Sequence, residues 1–463
     1  MSDGRHREAD GAARRAARIR GDTIAAVSTP PGRGGIAVVR ISGPDAMRIG
    51  RTLTAPWPAS SRRLTRTRVR TTDAREVLDD GLVAHFAAPD SYTGEDVVEL
   101  HVHGSTFLAA AIVAECIAAG AREALPGEFT ERALLNGKLD LVGAEGIAAI
   151  IDARTHAAHR GARAAISGEL TARYARLREQ AIGLEAMLAY DIDFPEEDSG
   201  PLRHDAILRE ARALEAGLTD LQAAGPAGRI ARDGAMVVLA GPPNAGKSSL
   251  FNALLGEERA IVSDEPGTTR DAIEVLVDSR PWPMRLVDTA GVREDAGRVE
   301  QLGIEVSHRY LGSALVVLAC AEYPDALAAL TEWIRGKTDA TVIAVHTKGD
   351  RANTTPAGAV RVSATTGDGL QELKRHMREA IAARAGSDVP DARAGVTVRQ
   401  RAAVQRALAE IREFATAWTG DLLPPPVAAT HVRAATSALD EIIGSVDVDD
   451  VLARVFSTFC VGK

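Results

Sequence analysis

The eight residues from Gly241 to Ser248, Gly-Pro-Pro-Asn-Ala-Gly-Lys-Ser, have the spacing G-x-x-x-x-G-K-S. Glycines at both ends let successive backbone N–H groups turn inward around a polyphosphate, and the N-terminus of a following helix adds partial positive charge. Lys247 is then placed to reach the outer phosphates and Ser248 to give a hydroxyl to Mg2+. Gly267-Thr268-Thr269-Arg270-Asp271 follows at the distance of a switch loop. There a threonine hydroxyl (Thr269) joins Ser248 on Mg2+ and its backbone N–H senses the γ-phosphate. Asp288-Thr289-Ala290-Gly291 ends a strand, with Asp288 holding Mg2+ through water and the Gly291 N–H against the γ-phosphate.

Base recognition is expected from His346-Thr347-Lys348-Gly349-Asp350, a form of the guanine motif N-K-x-D. Its aspartate accepts hydrogen bonds from the guanine N1–H and amino group, and adenine lacks both donors in those positions. Ser363-Ala364 is placed against the guanine oxygen. Five motifs in this order imply GTP binding. The expected shell is Asn244, Ala245, Gly246, Lys247, Ser248 and Ser249, then Ser263, Asp264, Glu265, Pro266, Gly267, Thr268 and Thr269. Asp288, Thr289, Ala290 and Gly291 follow, and Thr347, Lys348, Asp350, Ser363 and Ala364 surround the base. Two residues depart from the usual pattern. Val292 stands where small GTPases carry a water-orienting Gln, and Thr347 replaces the Asn that ties the base loop to the phosphate loop. The shorter threonine predicts a looser base pocket, with guanine preference kept by Asp350.

The elements that must position these groups are legible around them. Val237 to Ala240 reads as a buried strand and Ser249 to Leu255 as the helix after the phosphate loop. Val342 to Val345 reads as another buried strand, and Val360 to Ala364 carries the last motif. The nucleotide domain is expected over 234–384. It interrupts strongly helical sequence: from Leu141 to about Ala224, broken only at Asp191 to Pro201, and again over Thr397 to Trp418 and Val427 to Phe459, with a Leu422–Pro426 loop between. The pattern predicts a helical domain in two parts, 139–233 and 385–463, with an α/β P-loop domain inserted into it. Ahead of it, 22–138 predicts a smaller α+β domain. There a Pro30-Pro31-Gly32 and Gly34-Gly35 loop joins two strands. Leu82 to Ala88 and Val97 to His103 are further strands, and Phe107 to Ala119 is a helix ended by Gly120. Arg66, Arg68 and Arg70 share one strand face and read as a solvated edge. Glu99, His101 and His103 also share a face, yet strand spacing without a further ligand does not make a metal site. Residues 1–21 read as a disordered tail.

With 463 residues the chain is long enough for several domains, and its 25% charged and 45% hydrophobic residues are ordinary for a globular protein. The net charge of −8 means that contact with RNA must use local patches or a partner. Cys116, Cys320 and Cys460 are far apart and form neither a metal motif nor a disulfide framework, which suits a reducing compartment. No apolar run is long enough for a membrane span, and the N-terminus lacks the apolar core of a secretory signal, so a cytoplasmic location is expected.

Several stretches together resemble the MnmE (TrmE) family of tRNA-modification GTPases. They are TPPGRGG at Thr29 to Gly35, SYTGEDVVEL at Ser91 to Leu100, PGEFTERALLNGKLDL at Pro126 to Leu141, GPPNAGKSSLFNALLG, PGTTRD, DTAGVRE and the terminal FCVGK at Phe459 to Lys463. The resemblance runs from Asp22 to Lys463. It implies a homodimer whose N-terminal domain binds a tetrahydrofolate one-carbon donor (5-formyl or 5,10-methylene). With a FAD-binding partner (MnmG, also GidA) it implies addition of an aminomethyl or carboxymethylaminomethyl group to the wobble uridine of certain tRNAs. FAD belongs to that partner, not to this chain. Carried over by motif, the folate contacts are Arg40, Glu99, Lys138 and Lys463, a carboxylate for the pterin and cations for the glutamate tail. Cys460 falls in the family's C-terminal cysteine motif, as a catalytic or a structural thiol. Where the family has H-G-H-G-G, this chain has His101-Val102-His103-Gly104-Ser105. The resemblance also implies K+ in place of an arginine finger, held by Asn244 with Ser263, Glu265 and Thr268 while two G domains meet. Glu300 would orient the attacking water beside Lys247 as the catalytic pair. The alternative is a regulatory GTPase switch such as a ribosome-assembly factor, which would have no use for one-carbon units.

Overall fold

The computed structural model describes residues 21–193, 204–256, 260–261, 273–288, 310–351, 354–385, 395–420 and 424–444, with Phe456, Phe459 and Gly462. The chain divides into two compact units, Met1–Ala148 with Asp440–Lys463, and Ala149–Leu439.

The first unit is built on a seven-stranded sheet. Its elements are β1 (Ile24–Val27), β2 (Gly34–Ser42), α1 (Ala46–Leu53), β3 (Thr54–Ala55), β4 (Thr65–Arg70), β5 (Val77–Phe86), β6 (Val97–Gly104), α2 (Thr106–Ala118) and β7 (Arg122–Glu123). The order across the sheet is β3-β4-β5-β6-β2-β1-β7, antiparallel except where β7 joins β1. Val98, Leu100 and Val102 of β6 are buried, while Glu99, His101 and His103 face the other way, as a period of two requires. Val39, Ile41, Ile49 and Ile112 complete the core from β2, α1 and α2.

Two strand boundaries differ from the sequence reading. β5 runs from Val77, because the polar stretch around Asp79 and Asp80 still pairs with β4, Arg68 opposite Asp80. It stops at Phe86, where the Ala88 N–H turns instead to the Asp96 carboxylate at 2.9 Å. On β4, Arg66 and Arg68 are exposed, but Arg70 is half-buried and its Nε donates to the Thr52 carbonyl at 3.3 Å.

Beyond β7, α3 (Glu128–Leu135) brings a buried charge network to the sheet. Arg132 is fully buried, and its Nη1 donates to the Asp22 carbonyl at 2.8 Å and to Glu95 Oε2 at 3.0 Å. Its Nη2 reaches Glu128 Oε1 at 3.1 Å, and Arg122 closes the other side of Glu128 at 2.8 Å. Burial opposes ionisation of Glu128, yet the hydrogen bonds from Arg122 and the Leu125 N–H outweigh it and hold its carboxyl below the usual range.

α4 (Leu141–Asp152) leads into the second unit, which holds α5 (His156–Ile166), α6 (Glu169–Asp193) and α7 (His204–Asp233). A nucleotide-type fold follows: β8 (Ala235–Ala240), α8 (Lys247–Gly256), β9 (Ala260–Ile261), β10 (Ile273–Val277), β11 (Met284–Asp288), β12 (Val316–Ala321), α9 (Pro324–Arg335), β13 (Thr341–His346), β14 (Val360–Arg361) and α10 (Leu370–Ala385). Its sheet has the order β14-β13-β12-β8-β11-β10-β9, and the strands from β14 to β11 are parallel. β12, Val-Val-Leu-Ala-Cys-Ala, is buried along its whole length, as a central parallel strand covered on both faces must be.

Two further helices, α11 (Val398–Thr419) and α12 (Pro425–Ile443), return to α6 and α7. Arg412 Nε meets Glu215 at 2.8 Å across α11 and α7, and Arg173 pairs with Asp220 across α6 and α7. The expected helix from Val427 to Phe459 is not continuous. It ends at Ile443 because Gly444 takes φ +81, a left-handed conformation that stops the helical ladder. Among the described residues no helix is long and apolar enough to cross a membrane.

Replacing Arg132 by Met would take one of its two cations from buried Glu128 and the guanidinium from half-buried Glu95. We expect a loss of about 3–5 kcal/mol, read as a lower urea midpoint with an unchanged slope. Arg132→Lys should recover only part of it, because an ammonium cannot bridge the two carboxylates and the carbonyl at once.

Candidate functional site

The parallel strands of the second unit deliver their C-terminal ends to one edge, where open α/β sheets bind ligands. β8 stops at Ala240, and the next residue must be glycine, because a Cβ on Gly241 would lie 2.1 Å from the Cys320 carbonyl oxygen of β12. This contact lets the chain leave the sheet at once and wrap the loop back to α8. Asn244 takes φ +59 and is exposed, Ala245 is buried, and Lys247 opens the helix two residues earlier than expected. Lys247 Nζ lies within the loop, donating to the Gly241 and Pro242 carbonyls at 2.8 and 2.9 Å. Ser248 and Ser249 are exposed on the first turn of α8. Asp288 ends β11, buried, in register with Leu239 of β8, so its carboxylate arrives at the same edge. Cys320 is fully buried and its thiol is pushed up to about 12 by desolvation, so it packs and does not react.

The third arm comes from β13. Thr347 is buried, and its Oγ1 donates to the Ala245 carbonyl at 2.6 Å. The sequence reading expected a looser pocket from the shorter side chain. The structure shows the tie between base loop and phosphate loop made directly, since the two backbones approach closely enough for a hydroxyl to span them. Both neighbours of Thr347 are held by Glu322, which follows β12. His346 Nε2 lies 2.9 Å from the Glu322 carbonyl oxygen, and Lys348, at φ +52, places Nζ 2.6 Å from Glu322 Oε2. Glu322 carries no motif signal and was missed.

These loops enclose a cavity of about 190 Å3 lined by Gly246, Ser249, Thr347, Lys348, Asp350 and Ala364, all expected from sequence. Leu250, Arg351, Val362 and Thr365 also line it and were not anticipated, although three of them neighbour a motif residue in the chain. A hydrogen bond from Ser363 holds the Asp350 carboxyl below its ordinary range, helped by its own backbone N–H and the nearby Arg351 charge. An ionised carboxylate beside a hydroxyl, at the mouth of a cavity adjoining a phosphate loop, can accept paired N–H donors from a planar base. Ser263, Asp264, Glu265, Pro266, Gly267, Thr268, Thr269, Thr289, Ala290, Gly291, Val292 and Glu300 lie outside the described residues.

A second cluster stands on the sheet of the first unit. Antiparallel register sets Arg40 opposite Glu99. The guanidinium donates twice to Glu99 Oε1, at 2.9 and 3.0 Å, and lies over the rings of Tyr92 and Phe129, at 5.3 and 5.7 Å. His101 most strongly, then Arg40, holds the Glu99 carboxyl below its usual range against the opposing effect of burial. Tyr92 and Phe129 were not singled out from sequence; a cation–π sandwich depends on residues that are remote in the chain. Lys138 stands apart on the neighbouring turn, where its Nζ donates to the Pro89 carbonyl at 3.0 Å. His103 turns away to Asp79 at 2.8 Å, and no group of residues suited to a metal ion occurs among the described residues. Cys460 and Lys463 lie outside the described residues, but the Gly462 carbonyl between them accepts from Ser28 Oγ at 3.0 Å, at the end of β1.

Thr347→Val should weaken GTP and GDP equally, by about fivefold for one lost hydrogen bond of roughly 1 kcal/mol, and Thr347→Asn should restore affinity. Equilibrium binding of fluorescent guanine nucleotides reads both; unaltered affinity in the valine variant would show that the 2.6 Å contact does not shape the pocket.

Comparison with known proteins gives matches over nearly the whole chain. The GTP-binding protein TrmE N-terminus model matches residues 23–138, and the MnmE helical domain model matches residues 141–460. The tRNA modification GTPase MnmE of Nitratidesulfovibrio vulgaris is 39% identical, with 96% of this chain and 99% of that protein covered. Those of Heliobacterium modesticaldum and Aquifex aeolicus are 38% and 36% identical, with 96% of this chain and 100% of each protein covered. With its phosphate loop, base pocket and N-terminal sheet in place, the chain belongs to the MnmE family of tRNA modification GTPases.

Proposed function

We propose that this GTPase powers or times the addition of an aminomethyl or carboxymethylaminomethyl group to C5 of the wobble uridine of certain tRNAs, in the cytoplasm. The carbon comes from a tetrahydrofolate derivative held by this chain, and the redox chemistry from a FAD-dependent partner of the MnmG type. The observation that carries the reading is the Arg40–Glu99 cluster, a paired cation and carboxylate between aromatic faces, in the unit that does not carry the phosphate loop. A GTPase acting only as a switch has no need of it. Glu99 suits the N–H edge of a pterin, and Arg40, Lys138 and Lys463 suit the carboxylates of its tail.

In the nucleotide site, Asp350 and Ser363 read guanine, while Lys348 packs beside the base. Lys247 and the loop N–H groups from Asn244 to Ser249 meet the phosphates. Ser248 and the buried Asp288 supply hard oxygens fitting Mg2+, which, when bound, neutralises phosphate charge; Thr269 is its further ligand. The exposed Asn244 amide oxygen fits K+, with Ser263, Glu265 and Thr268 completing the shell when two copies of the chain bring their G domains together. Glu300 orients the water, a task Val292 cannot perform.

Three measurements test this. Asp350→Asn should shift preference from guanine toward xanthine nucleotides, because the N–H acceptor is replaced by a donor. Hydrolysis should be much faster in K+ than in Na+ at equal ionic strength, and Asn244→Ala should remove that difference while nucleotide binding persists; equal rates in both salts would refute the K+ assignment. Arg40→Ala and Glu99→Ala should weaken reduced-folate binding by calorimetry and leave GTP hydrolysis intact. Nucleoside analysis of bulk tRNA from a strain lacking the gene decides the whole reading, since an unchanged wobble uridine would end it.

A further inference from the structure

α5 is a basic helix in an acidic chain. Between Asp152 and Glu169 there is no Asp or Glu, while Arg154, His156, His159, Arg160 and Arg163 fall within ten residues, and the whole chain carries −8. Ala157, Ala162, Ala164 and Ala165 face the core, and those basic side chains are exposed. Positions 156, 159, 160 and 163 lie on one face of a helix. His156 lies 3.6 Å from Asp278, and Arg160 is engaged as well.

Two other helix ends are drawn to the same place. Thr155 Oγ1 donates to the Ala231 carbonyl at 2.9 Å, which fixes the start of α5 on the end of α7. A Cβ on Gly395 would lie 2.4 Å from the Gly161 carbonyl oxygen, so only glycine lets the chain pass α5 this closely on its way to α11. Arg232 Nη1 then meets the Val396 carbonyl at 3.5 Å. The exposed Arg229, the half-buried Arg232 and Arg401 thus join the basic face of α5 along one seam. Arg401 is the extreme case. Among the described residues its buried Nε and Nη2 have no hydrogen-bond partner, and burial, then the charges of Arg232 and Arg229, disfavour its cation against the opposing pull of Asp233. A guanidinium so poorly compensated is costly to the fold, and a nearby polyanion relieves it.

We propose that this seam of α5, α7 and α11 binds the phosphate backbone of the tRNA, with Arg154, Arg163 and Arg229 on phosphates and Arg232 and Arg401 strengthening the field. The proposal rests on tRNA being the substrate. Arginine forks match phosphate oxygens, and the helical run from His156 to Arg163 extends about 10 Å, with Arg154 just ahead of it, enough to follow more than one phosphate rather than one acidic side chain. α5 carries no Phe, Tyr or Trp, and its arginines position the RNA through phosphates and leave sequence reading to other contacts.

The test is tRNA binding by the full-length chain, followed by fluorescence anisotropy between about 50 and 200 mM salt. In Arg154→Gln/Arg163→Gln/Arg229→Gln, affinity should fall at least about tenfold and the slope of log K against log salt should lose about three. GTP hydrolysis should stay at the wild-type rate. The corresponding triple lysine variant should keep the slope. Arg63→Gln/Arg66→Gln/Arg68→Gln, exposed arginines of the first unit, controls for total charge. An unchanged affinity and slope in the seam variant would overturn this location, and so would an equal loss in the control. Loss of polyglutamate binding with tRNA binding intact would assign the seam to an acidic protein and overturn it as well. A wild-type chain that binds no tRNA would overturn the substrate reading and this proposal together.

Discussion

One hydroxyl holds the nucleotide site together. The phosphate loop leaves β8 and the base loop leaves β13, and β12 lies between those strands in the sheet. Thr347 Oγ1 on the Ala245 carbonyl bridges the gap above β12, and Glu322, where β12 ends, grips the residues on both sides of Thr347. Three consecutive strand ends are thereby locked in one geometry. The Gly241 approach to the Cys320 carbonyl sets the height of the first loop, and the Thr347 bond sets its distance from the second. A guanine edge and a polyphosphate are joined by a flexible ribose and ester linkage, so a pocket that fixes the distance between their two sites selects one nucleotide conformation in advance.

The first unit solves a different problem. Its helix α3 brings fully buried Arg132 and Glu128 against half-buried Glu95, and among the described residues the network is satisfied almost atom by atom, with Arg132 Nε left without a partner. Such a cluster adds little net stability over an apolar core of the same shape, but it punishes every misregistered packing of α3 that separates the partners. The register it enforces matters because Phe129, on the same helix, supplies one of the two aromatic faces against Arg40.

Sequence made the nucleotide site legible because its chemistry runs through the backbone. Glycine spacing, a lysine at a helix start and an aspartate after a buried strand are local signatures. What stayed hidden depends on distance across the fold. Whether threonine can replace asparagine turns on how close Ala245 comes, and Glu322 has no signature because both of its contacts are made in space. Arg40 and Glu99 meet through antiparallel register, 59 positions apart; family motifs pointed to them, whereas spacing alone could not. The end of α12 was a misreading of a visible sign: Gly444 stands in the sequence, and the apolar periodicity beyond it concealed the stop.

Ser28 on the Gly462 carbonyl has a consequence for how the polypeptide is made. A Cβ at Gly462 would strike the Val27 carbonyl at 2.1 Å, and Phe456 and Phe459 pack against Gly127. The unit that begins the chain is therefore closed by residues synthesised after more than three hundred others, a delay on the order of tens of seconds on the ribosome. During that interval the nascent sheet carries its β1 end and the Gly127 face uncovered. The intervening nucleotide domain has all its strands out of the exit tunnel well before then. The nucleotide domain, though translated later, can be finished before the unit that begins the chain.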